Sequence, residues 1–65
     1  MIYENIQKIT KEKGISIGLV ERECNLANGT IGKWKEVAPS AINLLKVAKY
    51  LGTTVDSLLH GVGDK

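Results

Sequence analysis

The feature that most constrains the fold is the stretch from Ser16 to Trp34, which contains two short amphipathic segments joined at residues 25–27. At helical spacing, one set of its side chains is apolar and can face one way: Leu19, Val20, Cys24, Leu26, Ile31 and Trp34. The remaining positions are polar or basic and face the other way: Asn28, Gly29, Thr30, Lys33 and Lys35. The apolar set requires packing against other elements, and the polar and basic set indicates a binding partner.

The length and composition of the chain predict one small helical domain spanning residues 1–65. A domain of 65 residues buries only about 60% of the surface that its unfolded chain exposes, so its stability is modest. The sequence is 43% hydrophobic and 25% charged, which is typical of a globular protein rather than a disordered one. Its aromatic residues are Tyr3, Trp34 and Tyr50, so the core is expected to be mainly aliphatic.

Several kinds of site are not expected from this sequence. A single cysteine, Cys24, excludes an intrachain disulfide, and together with the single His60 it cannot form a structural zinc site. Cys24 lies where the apolar stripe needs a small hydrophobic residue, which favours a structural role. His60 has no carboxylate partner at a useful spacing, so catalysis is not expected. We find no targeting signal or membrane span, and we expect a cytoplasmic protein without cofactor, metal, membrane partner or small-molecule substrate.

The apolar periodicity and the capping signals predict five helices, at about residues 2–13, 16–24, 28–35, 40–51 and 55–59, with a flexible tail at 60–65. Ser16, Ser40 and Thr54 are the predicted N-caps. Gly14, Asn25 and Gly52 are predicted to end helices in the left-handed conformation.

Two of these predictions concern packing. The fourth helix is predicted to turn Leu44, Leu45, Ala48 and Leu51 inward. Gly18 and Gly32 each weaken a short helix by about 1 kcal/mol relative to Ala, so both helices depend on packing.

The dipeptide Asn28-Gly29 also suits a β-hairpin, but its flanks do not alternate between apolar and polar residues.

Two short helices joined by a tight turn form a helix-turn-helix, whose second helix can enter a DNA major groove about 12 Å wide. The same unit occurs in helical domains that bind no DNA, so periodicity leaves both interpretations open. The net charge of +2 is too small to decide between them, although Lys33 and Lys35 flank Trp34.

From Tyr3 to Gly61 the chain resembles the lambda-repressor-like, Cro/cI-type helix-turn-helix family, also called the XRE family. The entry to the second helix is Lys-Gly-Ile-Ser at 13–16, and the turn and recognition helix are Leu-Ala-Asn-Gly-Thr-Ile-Gly-Lys-Trp at 26–34. The closing helices match at Pro-Ser-Ala-Ile-Asn-Leu-Leu-Lys-Val-Ala-Lys-Tyr-Leu-Gly, residues 39–52, and at Val-Asp-Ser-Leu-Leu, residues 55–59.

The resemblance implies an all-α, five-helix domain that acts as a homodimer on a palindromic operator in double-stranded DNA, with no catalysis and no cofactor. It implies a transcriptional regulator, with repression the expected mode. The family's base-reading positions fall on Asn28, Gly29 and Lys33, with Thr30 adjacent. Its phosphate-binding positions fall on Ser16, Ile17, Lys35, Ser40 and Asn43.

The chain departs from the family pattern at several positions. Ile17 replaces a common Gln, Glu21 replaces a small Ala, and Asn25 replaces the Gly of the turn. A common Arg and Glu pair falls on Thr10 and Lys35. We expect Glu21 to extend its stem past a neighbouring residue and Lys35 to face phosphate.

Some assignments have a structural alternative. Trp34 either packs in the core or presents its indole N–H to a phosphate, and Lys33 either contacts DNA or is merely solvated. Asn28 either contacts a base or acts as the N-cap that Ala27 cannot provide. For the whole chain, the alternative to a DNA-binding regulator is a protein-interaction module of the same fold, such as an antitoxin or a phage regulatory partner, and an enzyme is a more distant third.

Overall fold

The computed structural model describes residues 2–61, all of whose regular structure is helical. Its elements are α1 (Ile2–Lys13), α2 (Ile17–Glu23), a 3₁₀ helix (Ile31–Lys35), α3 (Ala41–Leu51) and α4 (Val55–His60). The predicted all-α class is confirmed. The count of five α-helices is not confirmed: at the third predicted helix, 28–35, residues 28–30 form a turn and a 3₁₀ helix follows it. The tail predicted at 60–65 begins too early, since His60 belongs to α4, and residues 62–65 lie outside the described residues.

The three predicted N-caps are confirmed. Ser16 Oγ accepts a hydrogen bond from the Leu19 N–H at 3.0 Å, at the start of α2. Ser40 Oγ and Thr54 Oγ1 accept equivalent bonds at the starts of α3 and α4, at 3.1 and 3.0 Å. Each side-chain oxygen satisfies one N–H that has no partner within its own helix, which explains why the helices begin where the sequence predicts.

The predicted helix ends at Gly14, Asn25 and Gly52 are also confirmed, since these residues have φ values of 72°, 61° and 73°. After each of them, the next amide donates to a carbonyl five residues earlier, at 2.7 to 3.0 Å. This is the Schellman arrangement, which supplies a donor to a carbonyl that the helix leaves unpaired. Asn25 is the one non-glycine residue with positive φ between residues 2 and 61, and Asn tolerates that conformation better than most residues.

A single core joins all five elements. Each contributes one residue with 0% exposure, and these residues are Ile6, Val20, Ile31, Val47 and Leu58. Helix α1 packs against α4, the 3₁₀ helix and α2, and α3 packs against α2 and α4. The radius of gyration is 10.5 Å, close to the roughly 11 Å expected of a compact domain of this length.

Helix α1 is the longest of the described helices, with 12 residues, and it is tied to α4 by a hydrogen bond that the sequence did not suggest. Asn5 Nδ2 donates to the Leu58 carbonyl at 2.6 Å, between residues 53 positions apart. Across residues 2–61, no helix combines the length and the apolar character needed to cross a membrane.

The inward face of α3 differs from the prediction at one position. Leu44, Ala48 and Leu51 are buried as predicted, but Leu45 is 47% exposed and Val47 is fully buried in its place. Residues 44, 47, 48 and 51 follow the i, i+3, i+4, i+7 spacing of one helical face. Leu45 is rotated by about 100° from Leu44 and therefore falls at the edge of that face.

Because of this register, the neighbouring residues Leu44 and Leu45 are expected to contribute differently to stability. We expect Leu44→Ala to lower the free energy of unfolding by about 2 to 5 kcal/mol, which would unfold much of so small a domain, because it leaves a cavity in the core. We expect Leu45→Ala to change it much less, because the side chain is already half in water. Urea unfolding followed by circular dichroism measures both, and equal losses would contradict the register.

The burial of Cys24 leads to a second expectation. Its side chain is 7% exposed, and its Sγ lies 3.7 Å from the Lys46 carbonyl oxygen. Burial raises the pKa of the Cys24 thiol above its ordinary value of 9.0, with Lys46 opposing the rise and Glu23 adding to it. Because the thiolate is the reactive form, we expect slow alkylation of the folded protein just below that pH and fast alkylation in concentrated urea.

The same shift affects stability. Since the pKa of Cys24 is raised in the folded state, its contribution to stability is present below the unfolded pKa and is lost as the pH rises through the folded value. Equal alkylation rates with and without urea would contradict the buried placement of Cys24.

Candidate nucleic-acid interface

The candidate site is built on α2 and on the segment 28–35, which comprises a turn and the 3₁₀ helix. The left-handed Asn25 reverses the chain after α2. The Thr30 N–H donates to the Ala27 carbonyl at 3.1 Å, which closes the turn that leads into the 3₁₀ helix. The connection between α2 and the 3₁₀ helix is therefore short and held by backbone hydrogen bonds.

Glu21 holds the segment 28–35 to α2. Its side chain is only 3% exposed, and each carboxylate oxygen accepts one backbone N–H: Oε1 from Gly29 at 3.1 Å and Oε2 from Ile31 at 2.8 Å. Backbone donors to a buried carboxylate satisfy charge that would otherwise be costly to remove from water. From the sequence we expected Glu21 only to extend its stem past a neighbouring residue. In the structure its carboxylate also binds the backbone of the following segment.

These bonds rule out the N-cap role of Asn28, while its contact with a base stays a prediction. The residue at the N-cap of the 3₁₀ helix is Thr30, whose side chain makes no capping bond, and the Asn28 side chain is exposed. The capping function is supplied instead by Glu21 from the preceding helix. Two signals in the sequence were available: a Glu where the family pattern has a small residue, and a predicted helix start with Ala27 in the capping position.

The 3₁₀ helix gives the segment an inner and an outer side. In a 3₁₀ helix residues three apart are eclipsed, so Ile31 and Trp34 lie on one side, and they are 0% and 8% exposed. Trp34 is thus a core residue, as its packing interpretation predicted. Thr30 and Lys33 are likewise three apart, and Lys33 is exposed. The polar side chains of this segment are presented by an element anchored in the core.

The predicted base-reading residues lie within one short stretch. Asn28, Gly29 and Lys33 are exposed, and Thr30 is half-buried. Gly29 has φ +90° and no atom within 4 Å of the place where a Cβ would stand. Glycine is therefore favoured here by the backbone conformation, which places the Gly29 N–H toward Glu21, and not by crowding.

The predicted phosphate-binding residues are more varied in their surroundings. Ser16 and Ser40 are exposed, and both use the hydroxyl oxygen to cap a helix. Ile17 is half-buried against the core, and Asn43 is also half-buried. The ammonium of Lys35 lies 5.0 Å from the centre of the Tyr3 ring, a cation–π distance, although the side chain remains exposed.

One expectation about His60 is wrong. Its Nε2 lies 3.5 Å from Asp56 Oδ1, one helical turn earlier on α4, so a carboxylate partner is present. The two side chains are 73% and 85% exposed, which marks the pair as a surface contact. Within residues 2–61, no group of three or more His, Cys, Asp or Glu side chains is arranged to hold a metal ion.

Comparison of the chain with protein-family models, curated proteins and solved structures finds no match. Its function is therefore inferred from its own residues and from the family pattern that they resemble.

The two bonds of Glu21 can be tested by a change of one atom. Glu21→Gln keeps the shape but leaves one carbonyl oxygen for two N–H donors, so one amide faces an NH₂ group. We expect the free energy of unfolding to fall by about 1 to 3 kcal/mol, and the amides of Gly29 and Ile31 to exchange with solvent faster.

Urea unfolding and amide hydrogen exchange measured by NMR give the two readouts. Glu23→Gln is the matched control, because Glu23 lies on the same helix and is exposed. If both variants behaved alike, Glu21 would not hold the segment 28–35.

Proposed function

We propose that this chain is a sequence-specific regulator of transcription that binds double-stranded DNA, with α2 and the segment 28–35 as a helix-turn-helix of the lambda-repressor-like type. In this proposal the segment 28–35 enters the major groove and α2 braces it. The protein acts in the cytoplasm as a homodimer, most simply as a repressor. It carries out no catalysis and needs no cofactor.

The observation that carries this proposal is the two-sided segment 28–35. Its apolar side, Ile31 and Trp34, is buried, and its amides at Gly29 and Ile31 are held by Glu21. Asn28 and Lys33 are then exposed on a support that cannot rotate freely. A reading element needs both properties, because base contacts require side chains that are accessible and fixed in direction.

The exposed side chains have suitable chemistry for reading bases. Asn28 can bond adenine at N6 and N7, and Lys33 can donate to guanine O6 and N7. Thr30 can offer its hydroxyl or its methyl group, the latter to thymine.

Phosphate contacts would position the domain on DNA. Ser16, Lys35 and Ser40 are at the surface and available for them, and Ile17 can contribute its backbone amide at the start of α2. The backbone N–H of Asn43 is bonded to Ser40 Oγ, so Asn43 can contribute only its side-chain amide. A second copy would supply the second half-site, one helical turn of DNA away. Tyr50 and Leu59, 41% and 45% exposed, are candidates for the surface between the copies, whereas Val62, the third candidate, lies outside the described residues.

Selection of bound sequences from random duplex DNA tests the proposal directly. We expect a palindromic site to be enriched, and Lys33→Ala to weaken binding to it by about 1 to 3 kcal/mol if Lys33 reads a base. Lys11→Ala removes the same charge from an exposed position on α1 and is the matched control. Failure to enrich any sequence at every salt concentration would overturn the proposal.

A protein-interaction module of the same fold is the second candidate, and one observation favours it. Ile42 and Leu45, on the outer face of α3, are 70% and 47% exposed, which suits a protein partner better than DNA. Recovery of one stoichiometric protein partner, together with no shift of any duplex, would favour this candidate. A selected duplex that binds tightly would favour the regulator.

A further inference from the structure

A groove of about 370 Å³ lies beside the helix-turn-helix connection, lined by Gly18, Glu21, Arg22, Leu26 and Asn28. Arg22 is the one arginine of the sequence, and its side chain is exposed on α2. Among residues 2–61, neither Arg22 nor Asn28 uses its side chain in a hydrogen bond or an ion pair. The side chains of Arg22 and Asn28 thus border one groove, and neither has a hydrogen-bonding partner within residues 2–61.

The residues around Arg22 leave its guanidinium accessible. Gly18 lies one helical turn before it on the same side of α2, and a Cβ there would meet only Ser16 Oγ, at 3.9 Å. The neighbouring carboxylate of Glu21 is already bonded to the amides of Gly29 and Ile31. Glu21 and Arg22 are consecutive on α2, so their side chains do not face each other, and among residues 2–61 no ion pair joins them.

The chemistry of the two side chains suits base edges. Arginine presents a planar fork of donors that matches the O6 and N7 acceptors of guanine, and this is the commonest specific contact in the major groove. Asparagine matches the donor and acceptor pair of adenine. An arginine fork fits a phosphate as well as a guanine edge, so the fork by itself does not choose between them. The position of Arg22 favours a base edge, because it borders the same groove as Asn28, which belongs to the segment proposed to enter the major groove.

We propose that Arg22 is a specificity-determining residue, which reads a guanine adjacent to the base read by Asn28. This rests on the proposed function, and it extends the reading surface from the segment 28–35 onto α2. The groove between the two side chains receives the edges of two neighbouring base pairs. In the preferred DNA site, an invariant guanine is then expected next to the position that depends on Asn28.

The test compares Arg22→Lys with Arg22→Ala on the site selected by the unchanged protein. We expect both variants to bind about tenfold or more weakly, because lysine keeps the charge but loses the fork. We also expect 7-deazaguanine at the assigned position, which lacks the N7 acceptor, to weaken binding of the unchanged protein but not of Arg22→Ala, which has no donor for N7. Lys49→Ala, which removes an equal exposed charge from α3, is the control.

Three other outcomes would overturn the proposal, each for a different reason. If Arg22→Ala binds weakly, but 7-deazaguanine at the assigned position weakens the unchanged protein and Arg22→Ala by the same factor, Arg22 contacts a phosphate and the reading of guanine is overturned. If both variants bind normally, the groove does not meet DNA. If the unchanged protein selects no sequence, the proposed function fails and this proposal fails with it. Circular dichroism of each variant shows whether it remains folded.

Discussion

The two hydrogen bonds from the Glu21 carboxylate to the backbone of the following segment are the interaction on which the candidate site depends. A carboxylate that is 3% exposed requires donors, and the Gly29 and Ile31 amides provide one for each oxygen. The same amides would otherwise lack acceptors, because no side chain near the start of the 3₁₀ helix caps it. The bonds therefore satisfy both partners and fix the segment 28–35 relative to α2.

Short helices can persist in this domain because each is anchored in a common core. Helices α2 and α4 have 7 and 6 residues, well below the roughly 12 residues at which an isolated helix becomes even marginally stable in water. Val20 and Leu58 anchor them by full burial, and side-chain caps begin both helices. Local capping thus decides where a helix starts, and tertiary packing decides whether it exists.

In the 3₁₀ helix, the residues that pack in the core differ from the residue proposed to contact DNA. Ile31 and Trp34 hold the 3₁₀ helix to the core, while Lys33 between them is exposed because a period of three residues turns it away. Arg22 and Asn28 border a groove whose inner part includes Glu21, so the residue that fixes the support also lies beneath the surface proposed to read DNA. A change at Glu21 would therefore affect recognition indirectly, through the direction of its neighbours.

The sequence by itself determined the all-α class, the approximate positions of the four α-helices, the N-caps of α2, α3 and α4, and the left-handed residues that follow α1, α2 and α3. Ser16, Asn25 and Gly52 could be recognised because caps and left-handed turn residues act on backbone groups within a few positions along the chain. The candidate reading residues were located as a group by the same local pattern, although their contact with DNA stays a proposal.

Only the tertiary structure decided that 31–35 is a 3₁₀ helix, that Val47 rather than Leu45 enters the core, and that Glu21 is buried. Gly29 and Gly32 weaken the local preference for an α-helix, so the packing of Ile31 and Trp34 and the bonds from Glu21 set the conformation. The Asn5 bond to Leu58 and the groove beside Arg22 join residues from different elements. Such contacts follow from how the elements pack together, which periodicity and capping signals do not encode.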